Sequence, residues 1–182
     1  MTGLLDYLAR PAEWALRAHV WSHRLWVRNN RRRSALLVAA WARVLTGVDI
    51  HPQATIGRNV QIGHGMGVVI GATAHVGDGC EILQGVTLGR LRDVTLPDGR
   101  KHPHLGKRVQ VGANAVLLGP ITVGDDANIG AGAIVLQDVP AGWTAVGNPA
   151  RLLPPRAQRG ADMRRGPAAQ GTPEVDRHLH HV

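Results

Sequence analysis

"LGKRVQVGANAVLLGPITVGDDANIGAGAIVLQDVP", residues 105–140, divides into the hexads LGKRVQ, VGANAV, LLGPIT, VGDDAN, IGAGAI and VLQDVP. Each opens on an aliphatic residue and carries an apolar, mostly small residue at its fifth place: Val109, Ala115, Ile121, Ala127, Ala133 and Val139. A helix repeats its apolar positions about every 3.6 residues and a strand every second one, so a unit of six with two inward places is a short strand plus a turn. Three such units close a triangular coil. Stacked coils bury a continuous apolar prism through parallel backbone ladders.

The same count runs upstream from Ile50 as IHPQAT, IGRNVQ and IGHGMG, then, after two extra residues (Val68 and Val69), as IGATAH, VGDGCE, ILQGVT and LG. The fifth places here are Ala54, Val60, Met66, Ala74, Cys80 and Val86, and AGWTAV adds Ala145 beyond Pro140. Cys80 is therefore expected as a buried core thiol and not a nucleophile. The second place is usually glycine, from Gly57 to Gly142, which suits corners that turn with positive φ. The count breaks twice, after IGHGMG and across "LGRLRDVTLPDGRKHPHLG" (88–106), and a histidine stands beside each break: His64 and His102.

Length and composition agree with one main domain: 182 residues, 44% of them hydrophobic. A single cysteine excludes an intrachain disulfide, and no secretory-signal order opens the chain, so a cytoplasmic location is expected. The stretch "SALLVAAWARVL" (34–45) is too short for a bilayer and contains Arg43. A net charge of +8 raises the question of a polyanion, but the middle of the chain lacks stacking aromatics, so no nucleic acid partner is expected.

Residues 1–48 form a short helical segment with Trp14, Trp21, Trp26 and Trp41. Leu37, Trp41, Val44 and Leu45 share one face of its last helix, with Ser34 as a possible cap and Gly47 as its end. That helix is expected to cover the open first coil, with a basic membrane-surface contact as the sharper alternative. Residues 49–153 carry the repeat, with a loop over 89–104. Residues 154–182, rich in Pro, Gly, Ala and Arg, are expected to be a disordered tail.

Departures from a chemically inert prism are where function is sought. Of the ten histidines, His51 and His75 occupy ordinary turn places and read as surface residues, and His178, His180 and His181 lie in the tail. His19 and His23 fall in the basic helical segment without an assignable partner. His64 sits at a slip that re-aims side chains, and His102 ends the loop just before the count restarts at Leu105.

The hexads resemble those of the hexapeptide-repeat acyltransferases, which implies a mainly β fold, a left-handed parallel β-helix, and a homotrimer. The hand rests on the resemblance alone, since crossover preference points the other way. The stretch from "DIHPQATIGRNVQIGHGMGVVIG" through "RKHPHLG" to "VGNPARLL", residues 49–153, is similar to the catalytic domain of the serine O-acetyltransferases.

That resemblance implies acetyl-CoA as cosubstrate, a small-molecule hydroxyl acceptor such as L-serine, and no metal. It implies His64 as general base, Asp49 as its support, and His102 as the contribution of a neighbouring subunit. The backbone at Gly89, Ala113 and Ala131 would meet the pantetheine arm; Arg100 and Lys101, just before His102, are the cations at hand for the acceptor's carboxylate, and Lys107 with Arg108 for a phosphate, a solvated turn being the plainer reading of that last pair. The chemistry fits the residue types: a hydroxyl attacks a thioester only when a base of near-neutral pKa takes its proton, and the tetrahedral oxyanion needs donors.

This chain also departs from the family. Gly63 replaces an acid before the base histidine, Ala72 a glutamate, and Lys101 an arginine whose bidentate fork lysine lacks. Only 48 residues precede the prism, where the family has a longer helical domain that supplies an acceptor-binding aspartate. Acetyl transfer is therefore better supported than serine as acceptor. The chain ends in Val182, not the isoleucine with which some members dock into cysteine synthase, so that complex is not assumed. An O-acetyltransferase for a sugar or antibiotic hydroxyl and a noncatalytic β-helix scaffold are the alternatives. A zinc-dependent trimer of the carbonic anhydrase type needs three clustered imidazoles, which the spacing of His64, His102 and His104 does not match.

Overall fold

The computed structural model describes residues 11–28 and 30–155. Helices α1 (Pro11–Val27) and α2 (Arg32–Thr46) precede a three-sided parallel β-helix. Its first face stacks β1 (Asp49–Ile50), β4 (Val69–Ile70), β7 (Thr87–Gly89), β10 (Val116–Leu118) and β13 (Ile134–Val135). The second stacks β2 (Thr55–Ile56), β5 (His75–Val76), β8 (His104–Leu105) and β11 (Thr122–Val123). The third stacks β3 (Gln61–Ile62), β6 (Glu81–Ile82), β9 (Gln110–Val111), β12 (Asn128–Ile129) and β14 (Thr144–Val146). β15 (Arg151–Leu153) folds back antiparallel on β14 and covers the last rung of that face.

Strands this short leave one residue pointing in and one out, and each turn supplies the second inward residue. Ile70, Ile82, Leu88, Leu105 and Leu117 from the first places and Val60, Cys80, Val86, Val109, Ala115 and Ala127 from the fifth are buried in one core. Cys80 donates its S–H to the Gly106 carbonyl at 3.1 Å, and burial pushes its thiol pKa up, as an inert core thiol requires.

Two readings of the repeat need correction. Met66 is 65% exposed, and Val68, fully buried, takes the inward place of its coil. The insertion therefore lies inside the turn at Gly65–Gly67 and not after it, and β4 begins at Val69 with the regular register restored. The second-place glycines from Gly57 to Gly130 do not have positive φ. They are small because the next coil's backbone lies over them: a Cβ at Gly112 would stand 2.5 Å from the Ala131 nitrogen, and one at Gly77 would overlap the Gly106 carbonyl. Left-handed backbone falls at the fourth place instead, at Asn59, Gly79, Gly85, Arg108, Asn114, Asp126 and Gly132. Asn and Asp tolerate that conformation by bonding locally, which is why the position is not uniformly glycine.

The helices also differ from expectation. Gly47 closes α2 in the left-handed conformation, its N–H bonded to the Arg43 carbonyl, but the N-cap is Arg31 without a side-chain bond, and Ser34 lies inside the helix. Leu37, Trp41 and Leu45 face away from the coils, 63%, 65% and 74% exposed. The inward stripe of α2 is Ala35, Ala39, Ala42 and Thr46, whose small side chains let it approach closely, and α1 joins it over the first coil through Ala12, Ala15, His19 and Ser22. Among the described residues no helix is long and apolar enough to cross a membrane. The expected tail from 156 onward, with His178, His180 and His181, lies outside the described residues.

Candidate active site

The corner between the third and first faces carries His64. Its backbone is left-handed at φ 59°, and the bonds Met66 N–H to the His64 carbonyl (3.0 Å) and Val68 N–H to the Gly65 carbonyl (3.2 Å) wind the extra residues into a tight loop. That loop is tied to the end of α2 by the Gly67 N–H on the Gly47 carbonyl, 2.8 Å, and the imidazole stays exposed. Asp49 lies beside the same corner: its N–H donates to the Val68 carbonyl at 2.8 Å, and it pairs with Val69 across β1 and β4. Its carboxylate points outward and meets Arg43 at 3.3 Å, a half-exposed ion pair of the kind worth about 1 kcal/mol or less.

The opposite edge of the first face, where the chain turns into the second, gathers imidazoles. The long loop leaves here after Gly89 and returns at His104. His102 is buried against Gly71, where any Cβ would overlap its ring. Its Nδ1 lies 2.8 Å from Thr73 Oγ1 and 3.2 Å from the Thr73 N–H, while Thr73 Oγ1 also accepts the backbone N–H groups of Lys101 (2.9 Å) and His102 (3.1 Å). Burial lowers the His102 pKa first, and the charges of Arg90 and Lys101, with that of His51 when it is protonated, lower it further. His104 bonds through Nε2 to the Thr73 carbonyl at 3.1 Å, its ring centroid 5.6 Å from that of His75.

His51, read from sequence as a plain turn residue, belongs to this edge. Its Nδ1 accepts the Gln53 N–H at 3.0 Å, its ring stands edge-on to Trp26 at 5.2 Å, and burial lowers its pKa against the opposing pull of Asp49. The available signal was its place: the second of its hexad, where glycine is the rule. Thr73 was missed altogether, although it occupies a fourth place.

The remaining candidates divide between the edges. Arg100 and Lys101 lie on the loop beside His102, with Arg100 Nη1 on Thr122 Oγ1 at 3.1 Å. Gly89 ends β7 at the same edge. Ala113 and Ala131 lie on the His64 edge in later coils, joined to it by the bonds Gly85 N–H to the Met66 carbonyl (2.9 Å), Asn114 N–H to the Gln84 carbonyl (2.9 Å) and Gly132 N–H to the Ala113 carbonyl (2.8 Å). Among the described residues a Cβ at Gly132 would meet nothing within 4 Å, and Gln84 Oε1 in this column is buried without a hydrogen-bond partner. Lys107 stands apart on the third edge, its N–H on Asp125 Oδ1 at 2.8 Å.

Within one chain, then, His64 with Asp49, Ala113 and Ala131 occupies one edge of the first face, and His102 with Arg100, Lys101 and Gly89 the other. From Gly67 to Gly71 the strand between them spans about 13 Å at ~3.3 Å per residue, so the two histidines do not meet. Among the described residues no three His, Cys, Asp or Glu side chains converge as metal ligands would.

Comparison with known proteins places this geometry. Residues 102–137 match the model of the bacterial transferase hexapeptide (six repeats). A serine acetyltransferase of Mycobacterium tuberculosis is 47% identical over 84% of this chain and 65% of its own length, and one from Staphylococcus epidermidis is 40% identical over 86% of this chain and 70% of its own. The structure of soybean serine acetyltransferase complexed with serine superposes with a TM-score of 0.72 at 46% identity, covering 76% of this chain and 56% of that one. This chain thus spans less than two thirds of the M. tuberculosis and soybean proteins. The left-handed β-helix expected from the resemblance is its fold. Sharing both the coil and much of the length of the S. epidermidis protein, the chain belongs to the serine acetyltransferase family.

Proposed function

We propose that the protein is an acetyl-CoA-dependent O-acetyltransferase acting on L-serine, and that it works as a homotrimer with each site between two copies. The observation that carries this is the placement of His64 and His102 on opposite edges of one face. A neighbour related by a three-fold axis can bring its loop edge to the His64 edge, whereas a single chain cannot close the distance. Closed cyclic symmetry is the ordinary way to repeat such a contact. That a soybean relative was solved with serine supports the acceptor.

In this reading His64, exposed at its corner, takes the proton of the serine hydroxyl as its oxygen attacks the thioester carbon. The tetrahedral centre collapses with loss of the C–S bond, and the proton passes from His64 to the departing thiolate. Asp49, on the same corner, stabilises the imidazolium as it forms, and its present ion pair with exposed Arg43 is weak enough to yield. His102, with Lys101 beside it, faces the acceptor from the neighbouring copy. Acetyl-CoA would run along the His64 edge past Gln84, Ala113 and Ala131. The open space over Gly132 and the unpartnered Gln84 Oε1 suit close approach of an amide-bearing chain there. Gly89 of the neighbour borders the same cleft, whereas Lys107, on the third edge, lies away from it.

Thiol release from acetyl-CoA, measured with L-serine, homoserine and simple sugars, tests the proposal. Release confined to L-serine and cut by about 10²–10⁴-fold in His64→Ala is the expected result. Release with another hydroxyl alone would overturn the acceptor. Silence with every acceptor would favour the noncatalytic scaffold.

A further inference from the structure

We infer that Thr73 is a positioning residue that locks the His102 ring in one neutral tautomer, with the proton on Nε2, so that the loop histidine presents a hydrogen-bond donor and not a base. The inference follows from counting donors and acceptors around one hydroxyl. Thr73 Oγ1 accepts two backbone N–H groups, from Lys101 at 2.9 Å and His102 at 3.1 Å, which occupies both of its lone pairs. Its own proton is then available only for donation, and His102 Nδ1 is 2.8 Å away. The Thr73 N–H, 3.2 Å from the same nitrogen, is a donor without alternative. A nitrogen that faces two donors is unprotonated, so the ring's single proton resides on Nε2.

The surroundings hold the ring to this choice. Gly71 leaves room for the imidazole because it lacks a Cβ: one added there would overlap the ring. Of the charged and titratable groups that act on it, Arg90 and Lys101 are cationic and His51 is so only when protonated, and each opposes a second proton on His102. Thr73 reaches the second loop histidine as well: its carbonyl only accepts, so His104 Nε2, 3.1 Å away, carries the proton there. One residue thus anchors the return of a loop that starts at Gly89 and assigns the proton on both of its imidazoles. The consequence for turnover rests on the proposed acyl transfer: an Nε2–H beside Lys101 would bind the acceptor's carboxylate or the oxyanion, while proton abstraction stays with His64 alone.

The test uses the full chain labelled with ¹⁵N at its histidine rings, with the His102 signals assigned from His102→Gln. The native protein and Thr73→Ser should both show bare Nδ1 and protonated Nε2 at pH 7.5. Thr73→Val, which keeps the backbone N–H and loses the hydroxyl, should show mixed tautomers and a His102 titration midpoint moved up toward 6.5. It should also lose about 10-fold in kcat/KM, chiefly through the KM for the acceptor, as removal of one hydrogen bond predicts, with Ser restoring both. A native His102 protonated on Nδ1 would overturn the inference, as would a folded Thr73→Val whose tautomer and titration match the native ones. If Thr73→Val does not fold, the native and Ser spectra decide alone. The ring spectra need no turnover, so a protein with the expected tautomer and no activity would refute the proposed reaction and leave the positioning intact.

Discussion

His19 shows how a single buried group links folding to pH. It lies on the inner side of α1, 6% exposed, with Nδ1 buried and without a partner among the described residues, and burial followed by the charge of His23 lowers its pKa from 6.5 to about 4. Above pH 6.5 folded and unfolded chains are both neutral at this residue. Below it the unfolded chain binds a proton that the folded chain refuses, so stability falls as the pH drops from 6.5 toward 4, by about 3 kcal/mol over the whole window. Urea unfolding at pH 7.5 and pH 5 should therefore show a loss of which about 2 kcal/mol disappears in His19→Leu; an unchanged loss would place the acid sensitivity elsewhere. Gly71 carries a prediction of the opposite kind. In Gly71→Ala the new Cβ overlaps the His102 ring, so the coil should fold while turnover drops by about 10²-fold, the usual cost of ångström-scale misplacement. Native-like turnover in that variant would contradict the placement of His102 in the site.

At the scale of the coil, the two kinds of glycine separate experimentally. Gly77→Ala drives a Cβ into the Gly106 carbonyl of the next rung and should cost about 1–3 kcal/mol or more. Gly132→Asn puts into open space a side chain that other fourth places already carry in left-handed backbone, and should cost only the residual strain of that conformation, about 1 kcal/mol at most. Equal costs in thermal or urea unfolding would refute the distinction. The same contrast explains what was readable beforehand. First and fifth places are decided by burial, which leaves a direct compositional trace, so the prism and the inert Cys80 were legible. Why a glycine is small is not: close approach and positive φ select the same residue, and only the folded backbone separates Gly77 from Gly132. Likewise the apolar face of α2 at Leu37 and Trp41 was visible, but the alanine stripe that actually packs is too short in side chain to stand out against a helix rich in alanine.

For the molecule as a whole, the two breaks in the count pointed to the two histidine edges, because an inert prism has no other reason to spend irregular backbone there. What sequence periodicity did not contain was their separation: it gives position along the coil, not which of three corners a residue occupies relative to a distant loop. Thr73 escaped for that reason, being ordinary by period and significant only by column, whereas His51 left one trace, a second place where glycine is the rule. The central claim, that each site takes His64 from one copy and His102 from the next, is tested most directly by mixing. His64→Ala and His102→Ala should each lose acetyl-CoA thiol release with L-serine. Equal amounts unfolded and reassembled together should recover about one quarter of native activity, since random cyclic trimers restore about one site in four. A mixture as inactive as its components, with trimers confirmed by sedimentation, would contradict the account and return the site to a single chain.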